Sequence, residues 1–596
     1  MQSKNWCCKP SLSMIRRDLL RFWPVWASYL AVWCLLLVIP LLNLLPTAAQ
    51  QDPAARVADI HRLITDAGGL PALIVSLLYG GIASFAVWSY LCQSRSASLY
   101  HALPLTRESL FLSHFAAGLG FLWLPNLLAA ALSYLCQLSL GYADPRQLLI
   151  WLSVVCLEGL LFFSIGTLAA MLTGSLPAVP VLYALLNFAV VACEALMSGY
   201  ACTLYYGVEE QPLRLRFLSP FVDLVNRSQS VPATGQLSPR LEVFDGDFVR
   251  LLCFYALAAL ALSALALLLY RRRATESAGD VIAVPPLRPA AKYLFAFACS
   301  LTLGWVFLQV LFPRLQTAPA LFVSVVLGGA VGYLMAAMLL KKSFRVFSFR
   351  QLLGFVPLAL VLGCWVLSIH LDLLGVERRV PAPEEISGVT IYSEYSLTCT
   401  EPDDLALIRT LHQASLTPKE AAAGENQLHF RLEYALQSGE ELNRSYLIPY
   451  SAALADDPGE PAGLLKALMS QPEHIIDGKL PEEAALFDSI NLDLYSHIEV
   501  LSPDKGFSGG SCPIDPRDGE MLVAAMREDV LAGRLCAWNP TWDSRDTLLS
   551  LSFGYRLPGT GTLRHWKYVT VWLDEHPART LETLVELGYL TEVPHE

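Results

Sequence analysis

Residues 95–110 read RSASLYHALPLTRESL, a short polar break between two long apolar runs. Pro104 lacks an N–H and cannot continue a helix, so the pattern predicts a short amphipathic helix that stops there. Three apolar side chains are expected on one side of it, Leu99, Tyr100 and Leu103. Thr106 is expected to cap a new helix, with Glu108 near its positive dipole end. Such a stretch suits a surface that another protein pushes on, and a plain loop between two spans is the alternative.

The composition on either side of this break is that of a membrane protein. The 596 residues are 54% hydrophobic and only 16% charged, whereas a soluble domain is about 25% charged. Residues 377–596 carry 36 acidic and 17 basic side chains, a net charge of −19, and residues 1–376 carry a net charge of +8. We expect a polytopic α-helical membrane protein with an acidic, soluble α+β domain at its C-terminal end.

About nine transmembrane helices are predicted from apolar runs long enough to span a bilayer. These runs are residues 22–45, 70–92, 111–138, 148–172, 178–196, 251–270, 293–312, 320–340 and 351–374. Basic residues stay in the cytoplasm, which places the N-terminus inside. Nine spans then put every basic cluster on the cytoplasmic face and the acidic domain on the extracytoplasmic face. One span more or fewer would put that domain inside.

The predicted organisation has five parts. They are a cytoplasmic amphipathic N-terminus (1–21), a six-helix core (22–270), a cytoplasmic linker (271–292), three further transmembrane helices (293–376) and the acidic soluble domain (377–596). The domain contains a weak internal repeat, because LHFRLEYAL at 428–436 resembles LSLSFGYRL at 549–557. With strands predicted at 389–397 and 497–502 and helices between and after them, each copy has the order βαββα. Chance similarity between two amphipathic hairpins is the alternative.

The chain carries no motif that would make it an enzyme. It has no G-x-x-x-x-G-K-[ST] phosphate loop, no G-x-S-x-G and no H-E-x-x-H. The seven histidines of the acidic domain are dispersed, and no cysteines stand at zinc spacing. We therefore predict no catalytic residues, no metal site and no cofactor bound by this chain. Three cysteines in the domain allow one disulfide without requiring it, Cys399, Cys512 and Cys536.

Two carboxylates lie inside predicted spans, where an ionisable side chain is costly unless it is paired or hydrated. Glu158 is in the middle of the fourth run, and Glu194 is near the outer end of the fifth. They are candidates for pairing between helices or for lining a pathway.

Residues 10–270 resemble a type-2 ABC exporter permease. The resemblance rests on six spans, a basic amphipathic N-terminus, an outer segment before the sixth span, and an inner loop that ends LPLTRESL at 103–110. In that family this loop forms the coupling helix that docks on the ATPase. The extra three spans and the acidic domain depart from the six-span pattern. They resemble a subgroup from Gram-positive bacteria whose C-terminal domain has no assigned role.

The resemblance implies an exporter in a bacterial plasma membrane, driven by a separate ATPase subunit that carries ATP and Mg. A second permease copy or a paired permease is expected, and no nucleic acid. The implied coupling residues are Arg95, Leu99, Tyr100, Leu103, Pro104, Arg107 and Glu108. The apolar members would enter a groove of the ATPase, and Arg107 would pair with an acid there. A membrane-anchored extracellular sensor or ligand-binding protein without transport activity is the alternative.

Overall fold

The computed structural model describes residues 10–46, 52–209, 215–228, 246–313, 317–417, 426–494, 511–536, 538, 547–557, 565–572 and 575–593. Within these residues, nine helical segments are long and apolar enough to cross a membrane. They are Trp23–Leu42, Pro53–Cys92, Arg107–Ser139, Pro145–Leu172, Ala178–Leu204, Val249–Arg272, Pro285–Leu311, Ala318–Lys341 and Phe349–His370. The predicted multi-pass helical architecture is therefore confirmed, and each segment overlaps one of the nine predicted runs.

The first 370 residues are helical wherever they form regular structure in the described ranges. The α-helices are α1 (Leu12–Arg21), α2 (Trp23–Trp33), α3 (Ile39–Leu42), α4 (Pro53–Gly68), α5 (Leu70–Trp88), α6 (Ser94–His101), α7 (Arg107–Ser139), α8 (Pro145–Leu172), α9 (Ala178–Leu204), α10 (Pro220–Ser228), α11 (Gly246–Arg272), α12 (Arg288–Leu311), α13 (Ala318–Lys341) and α14 (Phe349–His370). A π-helical turn, Cys34–Val38, joins α2 to α3, and a 3-10 turn, Ser89–Cys92, extends α5.

The chain forms two compact units. The first consists of Met1–Met197 and Leu213–Val366, and the second of Ser198–Pro212 and Leu367–Glu596. In the first unit α8 is the most buried of the long helices. It packs closely against α5, because a Cβ on Gly80 would lie only 2.7 Å from the Cβ of Phe162. Small residues allow this approach, and dispersion contacts then hold the helices together where no hydrophobic effect is available.

The segment between α11 and α12 is fixed by hydrogen bonds to other parts of the first unit. The N–H of Gly174 donates to the carbonyl of Asp280 at 2.8 Å, and the N–H of Ala283 donates to the carbonyl of Leu172 at 2.8 Å. The Asp280 carboxylate also accepts from Arg288 at 2.8 Å and from Lys342 at 2.7 Å. The hydrogen bond from Lys342 is the main cause that lowers the pKa of Asp280. The predicted linker is thus fixed to the turn after α8 and to the end of α13.

The second unit contains two four-stranded antiparallel sheets within its described residues. The first has the order β2-β1-β3-β4 and the second the order β6-β5-β7-β8. The strands are β1 (Ile386–Tyr392), β2 (Ser396–Cys399), β3 (Asn426–Leu436), β4 (Glu441–Tyr450), β5 (Leu486–Leu494), β6 (Ser511–Ile514), β7 (Thr547–Arg556) and β8 (His565–Trp572). The helices are α15 (Pro402–Ser415), α16 (Ala452–Ala455), α17 (Pro461–Met469), α18 (Pro472–Lys479), α19 (Gly519–Leu531) and α20 (Ala578–Glu586).

The repeated hairpins are where the sequence predicts them, but the strands before them are not. The single strand predicted at 389–397 is two strands, β1 and β2, joined by a tight turn. The first strand of the second copy is β5, and the predicted strand at 497–502 lies outside the described residues. The order βαββα is therefore wrong, since each copy begins with two paired strands. The four-residue strands β2 and β6 are too short for an alternating pattern to reveal.

Candidate coupling surface

The stretch at residues 95–110 has the local structure that its sequence predicts. Helix α6 ends at His101, before Pro104. The Oγ1 of Thr106 accepts a hydrogen bond from the N–H of Ser109 at 3.1 Å, which caps α7. Glu108 lies in the first turn of α7, where the dipole favours a negative charge. The predicted short helix, proline break and capped entry are confirmed.

The three apolar side chains of this stretch do not share a face. Leu99 is 64% exposed and Leu103 is half-buried, whereas Tyr100 is buried. The ring of Tyr100 packs 4.5 Å from that of Tyr90 and 5.4 Å from that of His114. The expectation that Tyr100 points outward with Leu99 is wrong, because neighbouring residues of a helix differ by 100° in direction. The outer surface of α6 is formed instead by the exposed side chains of Arg95, Ser98 and Leu99.

Arg107 connects the start of α7 to the end of α11. Its Nη1 donates to the carbonyl oxygens of Arg271 and Arg273, both at 2.9 Å. The last carbonyls of a helix have no partner within the helix, so this guanidinium satisfies them. Glu108 adds an ion pair with the Nε of Arg271 at 2.9 Å. Arg107 and Glu108 therefore both have partners within this chain. The side chain of Pro104 is exposed.

Arg273 performs the same task for α8. This buried side chain donates to the carbonyls of Ala170 at 2.7 Å and Met171 at 3.3 Å. It also reaches the carbonyl of Leu91 at 3.3 Å. Burial lowers the pKa of Arg273. In the sequence Arg273 is one of three adjacent arginines and cannot be distinguished from Arg271 and Arg272. In the structure it differs from them because its side chain is buried.

A buried contact between a carboxylate and an imidazole joins α1 to α7. The Oδ2 of Asp18 lies 2.6 Å from the Nδ1 of His114, and both side chains are almost completely buried. The Oγ of Ser113 accepts from the N–H of Ser11 at 2.7 Å, next to this pair. Sequence reasoning did not predict it, because Asp18 stands alone among basic residues and its partner is 96 residues away. The one feature of the sequence that could have indicated this contact is an acidic residue, Asp18, in an otherwise basic amphipathic helix.

The two predicted intramembrane carboxylates have separate partners. Glu158 is fully buried on α8, and its Oε2 accepts from the Oγ of Ser76 on α5 at 3.2 Å. This is a helix-pairing arrangement, and lining of a pathway stays a prediction. Glu194 accepts from the N–H of Leu215 at 3.0 Å and so holds the segment before α10. The structure does not bring Glu158 and Glu194 together with residues 95–110.

None of the cysteines in the described residues forms a disulfide, and the side chains of Cys399, Cys512 and Cys536 are buried. Within the described residues, one group of side chains could hold a metal ion, because its ligand atoms lie within 4.8 Å of one another: Cys399, Asp404 and His474. It lies in the second unit, whereas residues 95–110 belong to the first. Comparisons with protein-family models, curated proteins and solved structures find no match for this chain.

Proposed function

We propose that this chain is the membrane-spanning permease subunit of an ATP-binding cassette exporter. A separate ATPase subunit would dock on α6 and supply the energy of ATP hydrolysis. The observation that carries the proposal is that α6 has one exposed side and one side packed against the rest of the protein. Its outer surface exposes Arg95 and Leu99, while its inner side is locked to the long helices through Tyr100.

The contacts behind α6 form a route by which a push would reach the spans. Tyr100 packs on Tyr90 at the end of α5 and on His114 in α7. The hydroxyl of Tyr90 is 3.1 Å from that of Tyr270 in α11. A displacement of α6 would therefore act on three long helices at once, because packed side chains transmit strain rather than absorb it.

The charge distribution supports a cytoplasmic position for α6. The arginines at 271–273 lie at the end of α11, and Lys341 and Lys342 lie at the end of α13. Basic residues are retained on the cytoplasmic side, so these helix ends would share that side with residues 95–110. The acidic unit would then be extracytoplasmic. In support, residues that follow α9 fold with the unit that follows α14, since the N–H of Ser445 donates to the carbonyl of Gly207 at 3.1 Å.

The coupling proposal is tested by changing only the outer surface of α6. The variants are Leu99→Asp and Arg95→Glu, because both side chains are exposed. Leu103 and Arg107 are left unchanged, because Leu103 is half-buried and Arg107 caps the end of α11, so changing either could disturb the fold. Met521→Asp, at a comparably exposed residue of the second unit, is the matched control. The full chain is purified from its native cells in detergent, and ATP hydrolysis is measured in the purified fraction.

We expect the wild type and Met521→Asp to retain an ATP-hydrolysing partner, and Leu99→Asp to lose it by more than tenfold while the chain itself is recovered normally. Hydrolysis that is unchanged in both α6 variants would reject α6 as the docking surface. A wild-type chain that carries no ATPase activity would reject the exporter. The sensor, which needs no ATPase, would then be the better hypothesis.

A further inference from the structure

Three metal-ligating side chains meet in the first half of the second unit. Cys399 ends β2, Asp404 lies in the first turn of α15, and His474 lies in α18. The thiol sulfur, a carboxylate oxygen and an imidazole nitrogen all lie within 4.8 Å of one another. Cys399 and His474 are buried, while the side chain of Asp404 is 16% exposed. The cluster is therefore enclosed by protein and open to solvent at one edge.

The ring of His474 is oriented as in a metal-binding histidine. Its Nδ1 lies 2.9 Å from the carbonyl oxygen of Leu468, and because a carbonyl can only accept, Nδ1 carries the proton. In the neutral ring Nε2 is then an unprotonated ligand atom, and it faces the Oδ2 of Asp404 at 2.9 Å. A backbone carbonyl that fixes one ring nitrogen and leaves the other for the metal is a common second layer of zinc sites.

The same geometry argues against a cysteine nucleophile activated by a histidine. In such an arrangement the thiol faces one ring nitrogen and the carboxylate orients the ring through the other. Here the carbonyl of Leu468 already occupies Nδ1, and the carboxylate of Asp404 faces Nε2. The remaining alternative to a metal is a simple ion pair between a protonated His474 and Asp404, beside a buried thiol.

The donor set selects the class of metal. Thiolate and imidazole are ligands for zinc and similar transition metals, whereas calcium and magnesium prefer oxygen atoms alone. We propose that Cys399, Asp404 and His474 form a divalent transition-metal site, with zinc the best fit. Three protein ligands leave a fourth tetrahedral position, which the solvent edge at Asp404 would fill with water or with a donor atom of an external ligand. The site is independent of the ATPase surface on α6.

Such a site would cross-link parts of the fold that are distant in sequence. It would join β2 and the start of α15 to α18, some 70 residues later. Metal binding would therefore stabilise the first half of the unit, because its free energy adds to that of folding.

The test uses the full-length chain in detergent, stripped with a chelator and then loaded with Co²⁺. Cobalt bound to a thiolate gives a charge-transfer absorption band, which a histidine–carboxylate ion pair cannot give. We expect one equivalent of Co²⁺ with this band in the wild type, displaced by Zn²⁺. Cys399→Ser should lose the band. Cys512→Ser is the matched control, a buried thiol that belongs to no metal-ligating cluster of the described residues, and should keep it.

A milder variant guards against misfolding. Asp404→Asn changes a partly exposed ligand and keeps its shape, and we expect it to weaken zinc affinity by at least about tenfold in a competition titration. Circular dichroism identifies variants that keep the wild-type fold. A folded wild type that binds no Co²⁺, or a band that survives Cys399→Ser, would overturn the proposal in favour of the ion pair.

Discussion

The two halves of the second unit share a fold but differ in their buried polar groups. Their sheets have corresponding strand orders, and a buried tyrosine lies on the third strand of each, Tyr434 opposite Val389 and Tyr555 opposite Phe487. In the first half the hydroxyl of Tyr434 is 2.9 Å from the Nδ1 of His412. The structure records no such bond for Tyr555 among the described residues. The apolar pattern thus repeats, while polar chemistry is specific to each half.

The helix after the second strand shows this most clearly. In the first half α15 directs His412 inward, toward Tyr434 and the buried guanidinium of Arg444. In the second half α19 directs Asp529 toward α20, where its carboxylate accepts from the N–H and the hydroxyl of Thr580 at 2.6 and 2.7 Å. The buried polar contacts of each half therefore lie within that half.

The largest difference between the halves is expected on acidification. Burial, and then the positive charge of Arg444, lowers the pKa of His412 to about 3. Between pH 6.5 and 3, His412 is protonated in the unfolded chain but not in the folded one. The contribution of neutral His412 to folding stability is therefore fully present above the ordinary histidine pKa of about 6.5, and it is lost as the pH falls toward 3. We expect the first half to lose a few kcal/mol of unfolding free energy over this range.

Hydrogen exchange of β3 and β7 at several pH values, corrected for the intrinsic rates, would measure this effect. His412→Gln is the control, because glutamine does not titrate. Its first half should have a weaker pH dependence than the wild type. Equal pH dependence in the two proteins would contradict the role of His412.

The next largest effect is expected in the second half from Asp529→Ala. The buried N–H and hydroxyl of Thr580 lose their acceptor, and Arg534 loses an ion pair of 3.1 Å. Unpaired buried groups of this kind cost about 3 kcal/mol together. Denaturant titration monitored by exchange in β7 should show the loss, with β3 unchanged.

Glu528→Ala is the matched control, since Glu528 is exposed and lies 3.6 Å from Arg579. It should change stability by less than about 0.5 kcal/mol. Comparable losses in the two variants would indicate that Asp529 acts only through its negative charge and not through its hydrogen bonds to Thr580.

The smallest effect is expected from removing one hydroxyl in each half. Tyr434→Phe deprives the buried Nδ1 of His412 of its partner and should cost about 1 kcal/mol. Tyr555→Phe should cost less, because its ring packing with Phe487 is retained and no described hydrogen bond is lost. The shift in denaturation midpoint from the wild type is measured for each variant, and the two shifts are compared. Equal shifts would contradict the expected difference between the two halves.

The amino-acid sequence by itself determined the features that depend on neighbouring residues. Long apolar runs predicted the nine membrane-length helices found within the described residues, and Pro104 and Thr106 predicted the break and the cap between α6 and α7. These follow from transfer energies and from backbone groups within one turn, which a local pattern contains. The hairpins of the second unit were predicted for the same reason, since alternation over ten residues is a strong signal.

Only the tertiary structure decided which distant residues meet. It buried Tyr100, turned Arg107 toward the end of α11, and paired Asp18 with His114. It also collected the three potential metal ligands from β2, α15 and α18. A sequence without a recognisable motif contains no local signal for such contacts, because they depend on the packing of whole elements. For that reason the break at residues 95–110 was visible in the sequence, and the cluster of Cys399, Asp404 and His474 was not.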